Sequence, residues 1–475
     1  MNHDHFDSII VGGGIAGLVC GNYLAKAGLK VLIIEKNKNV GGYCRSFYPA
    51  NNLRFDSCVH SLSSCRSDGV VGKVISELEL DEFLTLSSYE IPDIVFYGKN
   101  NVRFYKDINL TIEEFSRAFP KEVPALKFFF RFVHTSKDLT LPSFKNLSYD
   151  QFLKETFSSP ILRKILSVPI LISSSVFTNK LSAFIGCAIL REHILDGGYY
   201  PAGGVQSFPN ALLQRYQSFG GKIFCNTVVK QILVEQNHVK GVILQDQSFV
   251  SAKNIVSCCD MIQTYTKLIA ERNVVTYWRR ILEKMQPSMS SVCLYLGARG
   301  IVARKEFRST LYFTNDKNSI LNVYKSFREN DNNSFLLSCP TVQEKPDESH
   351  KSLSFLLLTN AFYNNKEFWI KNKNQFKDNL IAKLKRVLPE VVDKAFFVGI
   401  ATPLTLENWT FNFMGAASGW ASIPTQIANP GIKIKSNISG LYLAGHWLTR
   451  AHGVVSAAYT ARRAAFLLLK GFSDG

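Results

Sequence analysis

Apolar positions divide this chain into segments of different rhythm. Ser8-Ile9-Ile10-Val11 is a short apolar run that breaks at Gly12-Gly13-Gly14-Ile15-Ala16-Gly17. A helical run follows. After Gly28 a second apolar strand, Lys30-Val31-Leu32-Ile33-Ile34, ends on Glu35. Residues from about 70 to 199 read as mostly helical, with basic and aromatic content. The stretch Gly197-Gly198-Tyr199-Tyr200-Pro201-Ala202-Gly203-Gly204 interrupts that pattern, and a helix through Leu212 and Tyr216 comes next. Period-two spacing and β-branched residues mark strands at Lys222 to Cys225, Val228 to Glu235, Val239 to Leu244 and Ile255 to Cys258, with a hairpin turn around Asn237-His238. Residues 290 to 360 are again strand-rich. Residues 366 to 388 carry Ile370, Phe376, Leu380, Ile381, Leu384 and Leu388 on one stripe of a basic amphipathic helix, stopped by Pro389. At the far end, Leu441-Tyr442-Leu443-Ala444-Gly445 reads as a strand, and a small-residue helix begins near Gly453.

The opening pattern is strand, glycine turn, helix, strand, acid. That order is a dinucleotide-binding βαβ unit. Gly12 makes the tight turn. Gly14 lets the backbone approach a pyrophosphate, and Gly17 lets the helix pack against the strand. The helix N-terminus offers bare N–H groups and the positive end of a dipole to phosphate. Glu35 can accept from ribose hydroxyls, which favours FAD or NAD over a 2′-phosphorylated cofactor. The second helix N-terminus, near Gly453, can set backbone N–H groups against the N1 edge of a flavin, which becomes anionic on reduction.

Length and charge narrow the class. A chain of 475 residues holds two or three domains. Its formal charge of +17 would suit nucleic acid or an anionic membrane surface, but no nucleic-acid motif accompanies it, so no nucleic-acid partner is expected. Ten scattered cysteines without a C-x-x-C pair read as reduced thiols of a cytoplasmic protein. No secretory signal is read, and the uncharged runs 165–179 and 408–432 are too short or too broken to span a bilayer. Peripheral membrane contact stays open. Its candidate is Phe128-Phe129-Phe130-Arg131-Phe132 with Lys127 and Lys164, read either as an interfacial anchor or as the core of a lid.

His60 and His446 are the sharpest chemical candidates. Each is either a proton donor beside the cofactor or a ring hydrogen-bonded to cofactor or backbone. Trp447 is expected as a cavity wall, and Asp56 as a residue that fixes local turns. His134, His193, His238 and His350 have no metal-ligand spacing, so no metal is expected. G-x-S-x-G is absent.

These motifs together resemble the phytoene desaturase-type flavoproteins, a group that includes carotenoid cis–trans isomerases and retinol saturases. The residues that carry the resemblance are the glycine turn, Glu35, Gly41-Gly42 with Arg45 and Ser46, Phe55-Asp56, Tyr200-Pro201-x-Gly203-Gly204, Val229-Lys230-Gln231-Ile232 and Leu443-Ala444-Gly445. The resemblance implies an α/β fold: a Rossmann-type FAD-binding domain of the glutathione-reductase-like kind with an inserted sheet-plus-helix substrate domain. The FAD-binding domain would comprise 1–90, 200–285 and 395–475. A helical lid or membrane-facing part at 91–199 and a sheet plus helix at 286–394 would form the substrate domain. By the same resemblance Gly12, Gly14, Gly17 and Glu35 hold the ADP half of FAD, while Gly41, Gly42 and Arg45 lie by the pyrophosphate and ribityl chain. Val229 would contact the adenine, and Gly203 and Gly204 would lie near the isoalloxazine. Gly445, His446, Gly453 and Val454 would surround the ribityl chain and flavin N1. Three positions depart from the family pattern: His446 stands where an acid is usual, and Cys58 and His452 where glycine is usual.

The implied activity is FAD-dependent redox chemistry on a C–C bond of a long apolar polyene or isoprenoid-like lipid: desaturation, saturation or isomerisation. Electrons would pass through quinone, oxygen or a separate carrier. Two other classes remain open: a redox-silent prenyl-binding chaperone of the Rab-escort type, and an FAD-dependent amine oxidase.

Overall fold

The computed structural model describes residues 5–49, 53–135, 144, 146–314, 334–345, 350–427, 432–448 and 453–473. Two seven-stranded sheets organise them. The first sheet grows from the opening motif. Strand His5–Val11 lies parallel between Val31–Ile34 and Phe249–Ser257. Lys222–Phe224 extends the parallel set on one side and Leu441–Leu443 on the other. The hairpin Val229–Glu235 and His238–Leu244 then adds antiparallel strands along Phe249–Ser257.

The continuous apolar run Val31–Ile34 is explained by burial on both faces of this sheet. Ile10, Val31 and Ile33 point to helices Ile15–Lys26, Ser207–Ser218 and Gly453–Ser473. Ile9, Val11, Leu32 and Ile34 point to the opposite layer, with Tyr265 and Trp278. Ala457, Ala458, Ala461, Ala464 and Ala465 are buried in the first of these layers. Such small side chains let the C-terminal helix lie close on helix Ile15–Lys26.

The second sheet runs in the order Ala395–Ala401, Ser290–Arg299, Ser352–Ala361, Ser334–Ser338, Thr310–Thr314, Asp93–Tyr97, Asn100–Phe104. Helix Lys366–Val387 covers one face through Trp369, Phe376, Leu380 and Leu384. Helices from the segment between Ile108 and Ile189 cover the other.

Two findings change the expected organisation. The segment expected to be helical from about 70 to 199 contains the hairpin Asp93–Tyr97 and Asn100–Phe104, which forms an edge of the second sheet. Ile94-Val95-Phe96 is a β-branched and aromatic run, and long-range pairing of Asp93–Tyr97 with Thr310–Thr314 satisfies its backbone. Strand Ala395–Ala401, drawn above with the cofactor domain, pairs with Ser290–Arg299 in the second sheet.

The candidate membrane anchor is also revised. Phe129 and Phe130 on helix Val123–Thr135 are fully buried, in ring contact with Phe115, Phe152 and Phe157. Lys164 is buried as well. Of the four phenylalanines only Phe128 is exposed, at 59%, with Phe132 stacked on it at 5.6 Å. A helix must bury one stripe, and the stripe it buries here holds Leu126, Phe129, Phe130 and Val133. Among the described residues, no helix is long and apolar enough to cross a membrane.

Candidate active site

The chain turns at Gly12, whose φ of +105° excludes most side chains. A Cβ on Gly17 would lie 1.9 Å from the Gly12 carbonyl oxygen, so only glycine permits this approach of helix to strand. Gly14 is the N-cap of helix Ile15–Lys26, with no side-chain cap hydrogen bond. The N–H groups of the first turn are therefore left for another partner. A Cβ on Gly14 would meet no atom closer than 3.9 Å, and Gly14 lines a cavity. The backbone there faces open space.

Glu35 closes the cradle from the neighbouring strand. One carboxylate oxygen accepts from Gly13 N at 2.8 Å, and the other from Asn37 N at 2.8 Å and Asn37 Nδ2 at 2.9 Å. The carboxylate is thus held rigidly at the cavity wall, with lone pairs left for hydroxyl donors. Gly41 N donates to Gly13 O at 2.9 Å, so the Gly41-Gly42 turn rests directly on the first glycine turn.

Arg45, expected by the pyrophosphate, is not among the cavity-lining residues; its guanidinium lies 4.2 Å from the ring centroid of Trp409, which is. Arg45 is buried, and its Nη1 has no hydrogen-bond partner. Burial pulls its pKa down while Glu35 pushes it up.

The far side of the cradle comes from Val229, Cys258, Cys259 and Gln263, and from Gly445, His446, Gly453 and Val454, all of which line the same cavity. Gly445 N donates to Thr460 Oγ1 at 2.9 Å, which ties the end of strand Leu441–Leu443 to the C-terminal helix. His452 lies outside the described residues.

Gly203 and Gly204 are not among the cavity-lining residues. Gly203 N donates to Glu344 at 2.7 Å, and Glu344 pairs with Arg54, whose side chain occupies the space beside Gly204. The pair forms a turn that leads into helix Ser207–Ser218, not a wall beside a flavin ring. Trp447 is likewise no cavity wall. It is buried against Trp420, with ring centroids 5.0 Å apart, and its indole N–H donates to Asn412 at 2.8 Å. Asp56 is buried between Ser46 and Tyr200, whose hydroxyls donate to it, in keeping with a role in local structure.

The cavity continues beyond the cradle. Its volume is about 420 Å³. Ile172, Ile185, Ala188 and Ile189 come from the helical layer, and Leu336 and Leu358 from the second sheet. Together they make an apolar chamber joined to the nucleotide end. Cys58 is on its wall, with its sulfur 3.8 Å from that of buried Cys293.

His60 and His446 both touch the cavity, and in each the Nε2 atom is enclosed without a partner. Burial, reinforced by neighbouring His193, holds His60 down to about 3. Burial alone holds His446 down to about 4. Both rings are therefore neutral near pH 7, and neither carries an imidazolium proton to give. Sequence reasoning passed over Ser63 and Glu192 and weighed His193 only as a metal ligand; all three line the chamber. They lie on a loop and on the wide helical segment Leu190–Leu195, and no local motif marks them.

The depressed histidines make stability depend on pH. An unfolded chain takes up protons on histidine near pH 6.5, whereas folded His446 refuses one until about pH 4. The neutral ring's contribution is thus complete above pH 6.5 and is lost as the pH falls toward 4. At pH 5 that loss is about 2 kcal/mol. Urea unfolding at pH 7.5 and pH 5 should show the wild type losing about 2 kcal/mol more than His446→Gln. Equal losses would mean that water reaches the ring.

The chain is similar to several known proteins. Rat all-trans-retinol 13,14-reductase is 24% identical, over 93% of this chain and 82% of its own. Prolycopene isomerase 2, chloroplastic, of an Oncidium hybrid cultivar is 23% identical, over 96% and 82%. Among solved structures, an oxidoreductase from Methanosarcina mazei superposes with a TM-score of 0.71 at 18% identity, covering 96% of this chain and 99% of that one. The family model described as flavin containing amine oxidoreductase matches residues 15–469, and the chain belongs to that family.

Proposed function

We propose that the protein is an FAD-dependent oxidoreductase acting on a C–C bond of a long apolar polyene or isoprenoid-like lipid. One observation carries this reading: a single cavity joins a nucleotide cradle to a chamber walled by aliphatic side chains. The names of the retinol reductase and prolycopene isomerase relatives point to substrates of the same chemistry.

The residues present fit FAD. The uncapped N-terminus of helix Ile15–Lys26 suits a pyrophosphate, and the fixed Glu35 carboxylate suits ribose hydroxyls. Bound FAD would supply hydride exchange with a substrate carbon. The chain's own part is positioning and the exclusion of water. Ile172, Ile189, Leu336 and Leu358 orient an apolar chain by shape, and neutral His60 and His446 offer hydrogen bonds without adding charge.

An amine substrate fits less well. The chamber's carboxylate, Glu192, is already bound by Arg66 at 2.7 and 3.1 Å, so among the described chamber residues no free anion faces an ammonium. A redox-silent lipid chaperone would have no use for the open helix N-terminus with Glu35 beside it.

The purified protein should contain FAD. After anaerobic reduction, a polyene panel should reoxidise the flavin with a two-hydrogen gain in product mass if the enzyme saturates. Starting from oxidised flavin, bleaching with a two-hydrogen loss marks desaturation. A change of double-bond geometry at constant mass marks isomerisation. Peroxide release with amines, and no response to any polyene, would contradict the reading.

An apolar substrate has to leave a bilayer, and we assign the membrane contact to the outer face of helix Val123–Thr135. There Phe128 is exposed between Lys127 and Arg131, and these three positions share one side of the helix. Phe128→Glu should release the protein from anionic liposomes at low salt without altering FAD content. Wild-type protein that does not float with such liposomes would remove this assignment.

A further inference from the structure

One wall of the chamber is polar, and there two segments distant in sequence are tied together. Ser64 N donates to the Glu192 carbonyl at 2.9 Å, and Ser64 Oγ to the Glu192 carboxylate at 2.7 Å. Arg66 holds the same carboxylate through two guanidinium nitrogens. This anchors the wide helical segment Leu190–Leu195, a backbone form that often occurs at functional sites. The next residue, His193, faces the chamber. Its Nδ1 is bonded to Ser63 Oγ at 2.8 Å, and its ring meets that of His60 edge to face at 5.9 Å.

The charge of this wall constrains what it can receive. Desolvation holds both rings neutral, His193 down to about 4. Arg66 is committed to Glu192, Asp68 and Asp196. Arg66 itself does not line the cavity, and among the described lining residues the one lysine or arginine is Lys36, which lies beside Glu35 at the nucleotide end. A carboxylate here would meet Glu192 with no free cation to balance it. A pure hydrocarbon filling the chamber would displace water from the second imidazole nitrogen of His193 and offer it no partner in return.

We infer that His193, oriented by Ser63 and braced by His60, is the specificity contact for a neutral hydrogen-bonding group, a hydroxyl or carbonyl, on an otherwise apolar substrate. This inference rests on the polyene reading and names the end of the chain that the chamber selects. The Ser63 contact fixes the imidazole plane and leaves Nε2 for the ligand. A hydroxyl suits either tautomer because it both donates and accepts; a carbonyl needs Nε2–H.

A matched ligand series tests it: all-trans-retinol, retinoic acid and axerophthene, which carry an alcohol, an acid and a hydrocarbon end on one polyene. Binding to the FAD-loaded protein is followed anaerobically by perturbation of the flavin absorbance. The wild type should bind the alcohol about tenfold more tightly than either analogue, the worth of one well-made hydrogen bond in a dry site. His193→Leu should erase that preference and leave the hydrocarbon's affinity unchanged, while His193→Gln should restore part of it. Ser63→Ala, which keeps the ring, should reduce the preference without abolishing it. Equal wild-type affinity for alcohol and hydrocarbon, or tighter binding of the acid, overturns the inference and leaves the polyene reading intact. So does a uniform loss of all three ligands in His193→Leu alongside an unchanged preference in Ser63→Ala. No binding of any of the three in the wild type overturns the polyene reading itself, and the inference with it.

Discussion

The site depends on one close contact, that of helix Ile15–Lys26 with the end of strand His5–Val11. With a Cβ on Gly17 only 1.9 Å from the Gly12 oxygen, any larger residue would push the helix away. Because the helix starts there without a side-chain cap, its first N–H groups open into the cavity. The rest of the cradle is referenced to this contact: Glu35 through Gly13 N, Gly41 through Gly13 O, and the C-terminal helix through the alanines buried in the same layer as helix Ile15–Lys26.

Burial does two things in the adjoining chamber. It excludes water from an apolar substrate, and it makes imidazolium too costly to form. His60, His193 and His446 are consequently polar without being charged. The wall that carries the first two obtains its rigidity elsewhere, from the Arg66–Glu192 ion pair behind it. Charge is used to hold the loop, and the carboxylate it brings to the chamber, that of Glu192, is already paired with Arg66.

How far the sequence could be read follows from how local each feature is. The βαβ unit was legible because its determinants lie within thirty-five residues and each glycine has a separate steric reason. Glu35 and the strand before it follow from the same short stretch. The hairpin Asp93–Tyr97 and Asn100–Phe104 was not legible, because its partner strand, Thr310–Thr314, lies more than two hundred residues away. Gly203-Gly204 is a genuine turn, but Arg54 and Glu344 from other parts of the chain decide what it faces. In Phe128-Phe129-Phe130 the composition is uniform, and only helical phase against Phe115, Phe152 and Phe157 separates the exposed ring from the core pair. His193 gains its meaning from Ser63 and His60, both more than a hundred residues earlier in the chain.

The central claim is that the backbone around Gly14 meets the pyrophosphate of FAD. Gly14 has an ordinary φ of −73° and open space where a side chain would go, so a valine there should fold and yet fill the ligand's place. The direct measurement is the FAD content per chain of the wild type and of Gly14→Val, alongside their circular dichroism. The account predicts one FAD per wild-type chain and, in a variant with the same helix content, almost none. Normal FAD occupancy in Gly14→Val would contradict it.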